Sequence, residues 1–232
     1  MKLGIMQPYF FPYIGYWQLL NLVDKYVIYD DVNYIKGGWI NRNRILNSGA
    51  VQYLNVQMQG ASPYKLINEV ERSLDQVYIN KTLKTLSNAY GKAPYFDVVF
   101  PMLENIFNSQ ENNLALFLTE AIKEICKYLD INTEIIVSSE IEKDNSLKGA
   151  DKVIHICQIM GASDYYNAIG GQELYDKDMF KENGIDLHFV ETHSISYSQG
   201  NAQFQSNLSI IDVLMYNSKE EVKNMLEKYT LV

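Results

Sequence analysis

Hydrophobic positions fall into short runs at the start of the chain and into longer periodic stretches in its middle. "KLGIM" is brief, apolar and stopped by Gln7-Pro8, which predicts a buried N-terminal strand. Pro8 and Pro12 then hold an extended loop, because each fixes its own φ and biases the preceding residue away from helix. From Ile14 to Val23 the apolar residues Ile14, Trp17, Leu19, Leu20, Leu22 and Val23 predict a short helix. "KYVIYDD" has a β-prone centre and predicts a second buried strand. Strand, loop, helix and strand within about thirty residues make a βαβ unit, whose strands are parallel. "RIL" and "VQYLNVQ" flank the turn signal Asn47–Gly49 as a hairpin. Residues from about 74 to 130 read as helical: "YINKTLKTLSNAYG" ends on a glycine stop, and "NNLALFLTEAIKEICKYLD" is the most regular stretch in the chain. Pro101 inside "PYFDVVFPMLENIF" predicts a kink or break. Beyond them "TEIIVSS", "SDYYNA" and "GIDLHFVE" predict strands. "GADKVIHICQIMG" predicts a helix ended by Gly161, and "LSIIDVLMYN" and the tail predict helices to the end. The expected architecture is a single α/β domain over residues 1–232, mainly parallel and Rossmann-like with three layers, carrying a helical insert at about 74–130.

Composition changes this picture little. Hydrophobic residues at 47% and charged residues at 21% suit a globular protein able to bury a full core. A formal charge of −8 argues against nucleic acid as a partner, yet leaves room for one local basic pocket. The two cysteines, Cys126 and Cys157, have no CxxC spacing, so neither a disulfide framework nor a structural zinc site is expected, and a reducing cytosol fits. The start of the chain lacks the h-region of a signal peptide, and no stretch approaches membrane-span length. The expectation is a cytoplasmic protein without membrane insertion. The three histidines and scattered carboxylates show no metal-ligand spacing, and no metal is expected.

The polar chemistry gathers early. Two of the three arginines, Arg42 and Arg44, fall within "NRNR", both tryptophans lie in the first 39 residues, and six of the 18 tyrosines precede residue 35. Arginine forks suit phosphate and carboxylate, and aromatic faces suit sugar rings and bases. "DDVNYIKGGWINRNR" therefore places carboxylates, a lysine, Gly-Gly, a tryptophan and arginines directly after a predicted strand. Ligands of open α/β sheets bind beyond the carboxyl ends of strands, so this loop and "QPYFFPY" should meet at one rim. The plain alternative is that both loops only cover a sheet edge.

"MQPYFFPYIGYWQLLNLVDKYVIYDDVNYIKGGWINRNRI" resembles the opening signature of the WbqC-like family. The likeness continues in "ASPYKLINEVE", "VIHICQIMGASDYYN", "GGQELY" and "YSQGNAQFQSNLSIIDVL", about residues 4–217 in all, with the helical middle matching least. The family is associated with surface polysaccharide (O-antigen) biosynthesis. The resemblance implies a cytoplasmic transferase of glycan-precursor assembly that acylates or aminoacylates the amine of a nucleotide-linked amino sugar. No tightly bound cofactor is implied, and an acyl thioester on a carrier protein or CoA would be the donor. An acyl carrier protein, usually acidic, would then need a local basic docking patch. A non-catalytic nucleotide-sugar-binding or scaffold protein is the alternative. Nucleotidyl transfer is a further one, since "YIGY" occupies the place of a His-x-Gly-His motif with Tyr13 and Tyr16 at the histidine positions; tyrosine cannot supply the imidazolium that motif uses.

With that chemistry, Arg42 is the first phosphate candidate and Arg44 the next, alternation being expected to separate the pair so that one binds and the other is structural. Lys36 beside Gly37-Gly38 is a mobile phosphate contact or merely solvated. Trp39, Tyr9 and Tyr13 offer ring faces, and Gln7, Asn41 and Asn43 offer neutral donors and acceptors. Asp30 and Asp31 are separated by strand alternation, and Asp31 is the one expected in the cleft, as proton acceptor or sugar-hydroxyl ligand. His193 is the other candidate base, or an exposed loop histidine. Tyr197 and Gln199 sit in a Ser/Gln/Gly/Asn-rich loop suited to sugar hydroxyls. His155 and Cys157 invite a nucleophile reading, but positions i and i+2 do not share a helix face; Cys157 lies in apolar "VIHICQIM", where a thiol stays protonated, and reads as a buried structural residue, while His188 reads as packing.

Overall fold

The computed structural model describes residues 1–200 and 203–232. It opens with the expected unit: β1 (Lys2–Met6), α1 (Ile14–Leu22) and β2 (Lys25–Ile28), with β1 and β2 parallel. The hairpin β3 (Arg42–Asn47) and β4 (Ala50–Asn55) follows, then a small antiparallel pair, β5 (Met58–Gln59) and β6 (Glu71–Arg72). Between β6 and the next strand lie α2 (Gln76–Tyr90), α3 (Phe96–Phe107) and α4 (Leu114–Leu129). The chain returns to the main sheet through β7 (Glu134–Val137), α5 (Gly149–Ile159), β8 (Asp164–Ala168), α6 (Lys177–Glu182) and β9 (Asp186–Thr192). It closes with α7 (Ile210–Tyr216), α8 (Lys219–Leu226) and β10 (Tyr229–Leu231).

Two expectations are corrected. The tail does not end in helix, because Tyr229–Leu231 pairs antiparallel with β9; three residues are too few to show a period in the sequence. Pro101 does not break α3, which runs through it from Phe96 to Phe107. The proline forfeits one bond to the carbonyl of Asp97, while buried Val99, Leu103 and Phe107 hold the helix on either side.

The main sheet has the order β10-β9-β8-β1-β2-β7, parallel throughout except for β10. Alternation sends neighbouring residues to two separate cores. Leu3, Ile5, Val27, Tyr165, Leu187 and Phe189 pack with Val153, Ile156 and Phe180 of α5 and α6. Tyr26, Ile28, Tyr166 and Val190 face α1, α4 and α8 on the other side. Helices thus cover both faces, giving a three-layer, Rossmann-like arrangement with both sheet faces buried. The chain first builds outward from β1 through β2 to β7, then returns to β8 and β9 on the opposite side of β1. The direction of growth reverses between β1 and β8, and the crevice at such a reversal is where open α/β sheets bind ligands.

Candidate functional site

The loop after β1 is shaped by partners from distant parts of the chain. Phe10 N donates to the Trp39 carbonyl at 2.9 Å, and Asn43 Nδ2 donates to the carbonyls of Phe10 and Phe11 at 3.1 and 2.9 Å. Ser209 Oγ donates to the Phe11 carbonyl at 2.8 Å, while Trp17 Nε1 and Ile210 N both donate to the Pro12 carbonyl. These bonds hold Phe11 at φ 42°, a left-handed conformation that costs a non-glycine residue about 1–2 kcal/mol. Most of the aromatic side chains of this segment go inward: Phe10, Phe11, Tyr16 and Trp17 are all buried, and Phe10 and Phe11 pack on Phe107 of α3. Tyr9 and Tyr13 are the two that face the rim.

That rim carries a cleft of about 690 Å³. Its walls are Tyr9, Pro12 and Tyr13 after β1, Ile169 after β8, and residues 191–195 at the end of β9. The hairpin side adds Trp39, Asn43 and Arg44, and the segment before α7 adds Tyr197, Phe204, Ser206, Asn207 and Leu208. Gly15 lets Tyr13 lie over the start of α1: a Cβ there would come within 2.4 Å of the Tyr13 ring and hydroxyl and 2.5 Å of Thr192 Oγ1. Arg44 donates from Nη2 to the Asn207 carbonyl at 3.0 Å and stands 5.6 Å over the Trp39 ring, yet its buried Nε has no partner among the described residues. His193 Nε2 lies 2.6 Å from Thr230 Oγ1. Behind the cleft, the fully buried Asp212 accepts from Tyr90, Tyr197 and Gln199 at 2.9, 2.7 and 2.8 Å. Burial raises the Asp212 carboxyl above its ordinary range, against those same hydrogen bonds.

A second cleft, of about 610 Å³, opens beyond β2 and β7. There Asp31 Oδ2 meets Lys143 Nζ at 3.0 Å and Lys152 Nζ at 2.9 Å, the three side chains being only 9, 1 and 8% exposed. Lys143 also donates to the carbonyls of Ser138 and Ile141, and Lys152 to that of Asp31. Burial alone would raise the Asp31 carboxyl, but the two ammonium groups and nearby Ser138 hold it below the ordinary carboxylate range. Asp30 points elsewhere, buried, and accepts from Ser139 N and Oγ. Among the described residues, no three His, Cys, Asp or Glu side chains gather as a metal site would need.

The structure therefore brings together Tyr9, Tyr13, Trp39, Asn43, Tyr197 and His193 at the first cleft, and sets Asp31 in the second. Lys36 is exposed and lines neither cleft, and Gln7 contributes its carbonyl to Tyr16. Asn41 accepts from Tyr34 and Asn43 clamps the first loop, so both serve the scaffold through these bonds. Gln199 is buried against Asp212 and the Gln205 backbone. Arg42 and Arg44 are two apart and share a strand face, so alternation does not separate them. What separates them is their partners: Arg42 turns back onto the carbonyls of Gly37 and Gly38 and over the Tyr53 ring, leaving Arg44 to the cleft. Lys143 and Lys152 were not anticipated as site residues. The available signal is that Lys152 shares a helix face with apolar Ile156, four residues on. Cys157 is fully buried as a packing residue, its thiol pushed up to about 12, while His188 is part-exposed, stacks on Tyr166 and sets Nε2 3.2 Å from Asp164 Oδ1.

The model of the WbqC-like protein family matches residues 7–224. The uncharacterized protein Rv1507c of Mycobacterium tuberculosis (strain ATCC 25618 / H37Rv) is 28% identical over 229 residues, covering 97% of each chain. No solved structure matches.

Proposed function

The chain belongs to the WbqC-like protein family, and on that premise we propose that it is a cytoplasmic transferase of glycan-precursor assembly, acylating or aminoacylating the amine of a nucleotide-linked amino sugar in the first cleft. The observation that carries this reading is Arg44: a guanidinium with an unpartnered buried Nε, set over Trp39 in a cleft beside the sheet's reversal point. Its fork suits a diphosphate, and Trp39, Tyr9 and Tyr13 supply faces for a base and a sugar ring.

His193 is the proton acceptor in this reading. When Nε2–H donates to Thr230 Oγ1, Nδ1 keeps the lone pair that a general base needs. The sugar amine attacks the carbonyl carbon of an acyl thioester, from a carrier protein or CoA. A C–N bond forms, the C–S bond breaks, the amine proton passes to His193, and the thiolate leaves and is protonated.

Thermal unfolding with a panel of nucleotides and nucleotide sugars tests the site. A ligand at about 100 times its dissociation constant stabilises the fold by about 2.7 kcal/mol. The expected result is a shift with a nucleotide sugar that is lost in Arg44→Ala and kept in Arg42→Ala. Turnover with acyl donors that His193→Gln abolishes, without loss of binding, would establish the enzyme. Binding without turnover for any acyl or aminoacyl donor would make it a nucleotide-sugar-binding module instead. No shift with any nucleotide would sink the assignment.

A further inference from the structure

The second cleft carries an inference of its own, independent of the reading of the first. Its floor is the Asp31–Lys143–Lys152 cluster, in which two ammonium groups meet one carboxylate. The neighbouring carboxylate, Asp30, is already committed to Ser139. Lys148, exposed at the cleft wall, adds a further cation. It is also the residue before the 11-residue α5, whose first-turn backbone N–H groups have no side-chain cap; the one acid of that turn, Asp151, is exposed and does not line the cleft. This edge of the cleft favours an anion.

The floor asks for something else. Asp31 Oδ1 has no hydrogen-bond partner among the described residues, although its side chain is only 9% exposed. The Ser138 hydroxyl stands near that carboxylate and helps hold it ionised, but lies outside hydrogen-bonding geometry. Asn68 Oδ1, on the same wall, is likewise buried and unpartnered. Buried acceptors without donors are costly to leave unpaired, so they mark where a ligand's donors fit. An amine cation is a poor candidate beside two lysines. A neutral hydroxyl or amide N–H is a good one. Val32, Leu66 and Leu147 add apolar wall between these polar ends.

We infer that the second cleft binds a hydroxyl-bearing phosphoester, its phosphate at Lys148 and the start of α5 and its hydroxyl or amide donors on Asp31 Oδ1 and Asn68 Oδ1. Two sources share that chemistry, a sugar phosphate and a phosphopantetheine arm. Both strands beneath it belong to the same parallel sheet as the first cleft, so the two clefts open along one rim.

The experiment titrates the full chain with ribose 5-phosphate, with pantetheine 4′-phosphate and with ribose. It follows affinity by calorimetry and Lys148 acetylation by mass spectrometry. One of the two phosphoesters is expected to bind and to protect Lys148, and ribose alone to bind far more weakly. Lys148→Ala should weaken binding about tenfold, the loss of one charge-assisted contact, while Arg44→Ala in the first cleft leaves it unchanged. Because Lys148 is exposed, that variant should keep its fold. Overturning results are no binding of either phosphoester at millimolar concentration, no protection of Lys148, or binding that Arg44→Ala removes and Lys148→Ala does not.

Discussion

Replacing Asn43 by alanine separates a scaffold role from a ligand role. The residue is 4% exposed although it borders the first cleft. Nδ2 donates to the carbonyls of Phe10 and Phe11, and Oδ1 accepts from Arg44 N at 2.8 Å. In Asn43→Ala the Phe11 carbonyl keeps Ser209 Oγ, but the Phe10 carbonyl and the Arg44 amide lose the partner described here. At about 1–3 kcal/mol for each buried group left unpaired, the loss is about 2–6 kcal/mol. The left-handed Phe11 adds pressure, since relaxing its φ is what the clamp prevents. Against a total stability of about 5–15 kcal/mol this is a large fraction. With a urea slope of about 1–3 kcal/mol/M, the unfolding midpoint should fall by about 0.7 M or more. Asn43→Asp should fare no better, because a carboxylate cannot donate to the two carbonyls. A midpoint within about 0.3 M of wild type, together with lost nucleotide-sugar binding, would refute the clamp and make Asn43 a ligand contact.

Gly15→Ala should displace the Tyr13 ring, whose atoms lie 2.4 Å from the added Cβ. A stability loss of about 1–3 kcal/mol and a weaker affinity at the first cleft are expected, read by denaturation and by quenching of the half-exposed Trp39. Asp31 has a folded-state pKa below its unfolded value, so its contribution to stability is present above the unfolded carboxylate range of about 4 and is lost as pH falls through the folded pKa. Asp31→Asn should be destabilised by about 3 kcal/mol or more at neutral pH and show a shallower acid limb when urea midpoints are measured from neutral to acid pH. For Asp212, raised by burial, the sign reverses: its contribution is present below the unfolded pKa and lost as pH rises through the folded one, so Asp212→Asn should gain on wild type toward neutral pH if the Tyr90 and Tyr197 hydroxyls reorient. Cys126 and Cys157, both buried with thiols pushed up to about 12, should resist iodoacetamide until urea unfolds the chain.

Much of the fold was legible because periodicity and punctuation agree with it. "KLGIM" and "KYVIYDD" are strands on either side of a short helix, and "NSG" turns the hairpin where β3 meets β4. The strand at 229–231 was not legible, since its identity comes from pairing with β9 and not from its own sequence. The site was half legible. Aromatic and arginine clustering pointed to the rim where the first cleft lies, but not to which side chains turn inward. Phe10, Phe11, Asn43 and Gln199 have residue types suited to ligands and are spent on the scaffold: Asn43 clamps the Phe10 and Phe11 carbonyls, Phe10 packs on Phe107, and Ser209 and Gln205 bond to Phe11 and Gln199. Arg42 and Arg44 look alike in sequence, and only the carbonyls of Gly37 and Gly38 tell them apart. The Asp31–Lys143–Lys152 cluster joins residues 112 and 121 positions apart, a distance that local pattern cannot see.

The first loop also has a history in time. Its Phe11 carbonyl is held by Ser209, 198 residues later in the chain. At a synthesis rate of about 5–20 residues per second, Phe11 exists for about ten to forty seconds before Ser209 is made. Through that interval β1, α1 and β2 can already pair, but the loop has neither its last anchor nor the Ile210 amide that fixes Pro12. The cleft wall is thus among the last features to take shape on the nascent chain. A chain interrupted between β9 and α7 would carry all five parallel strands and no finished binding surface.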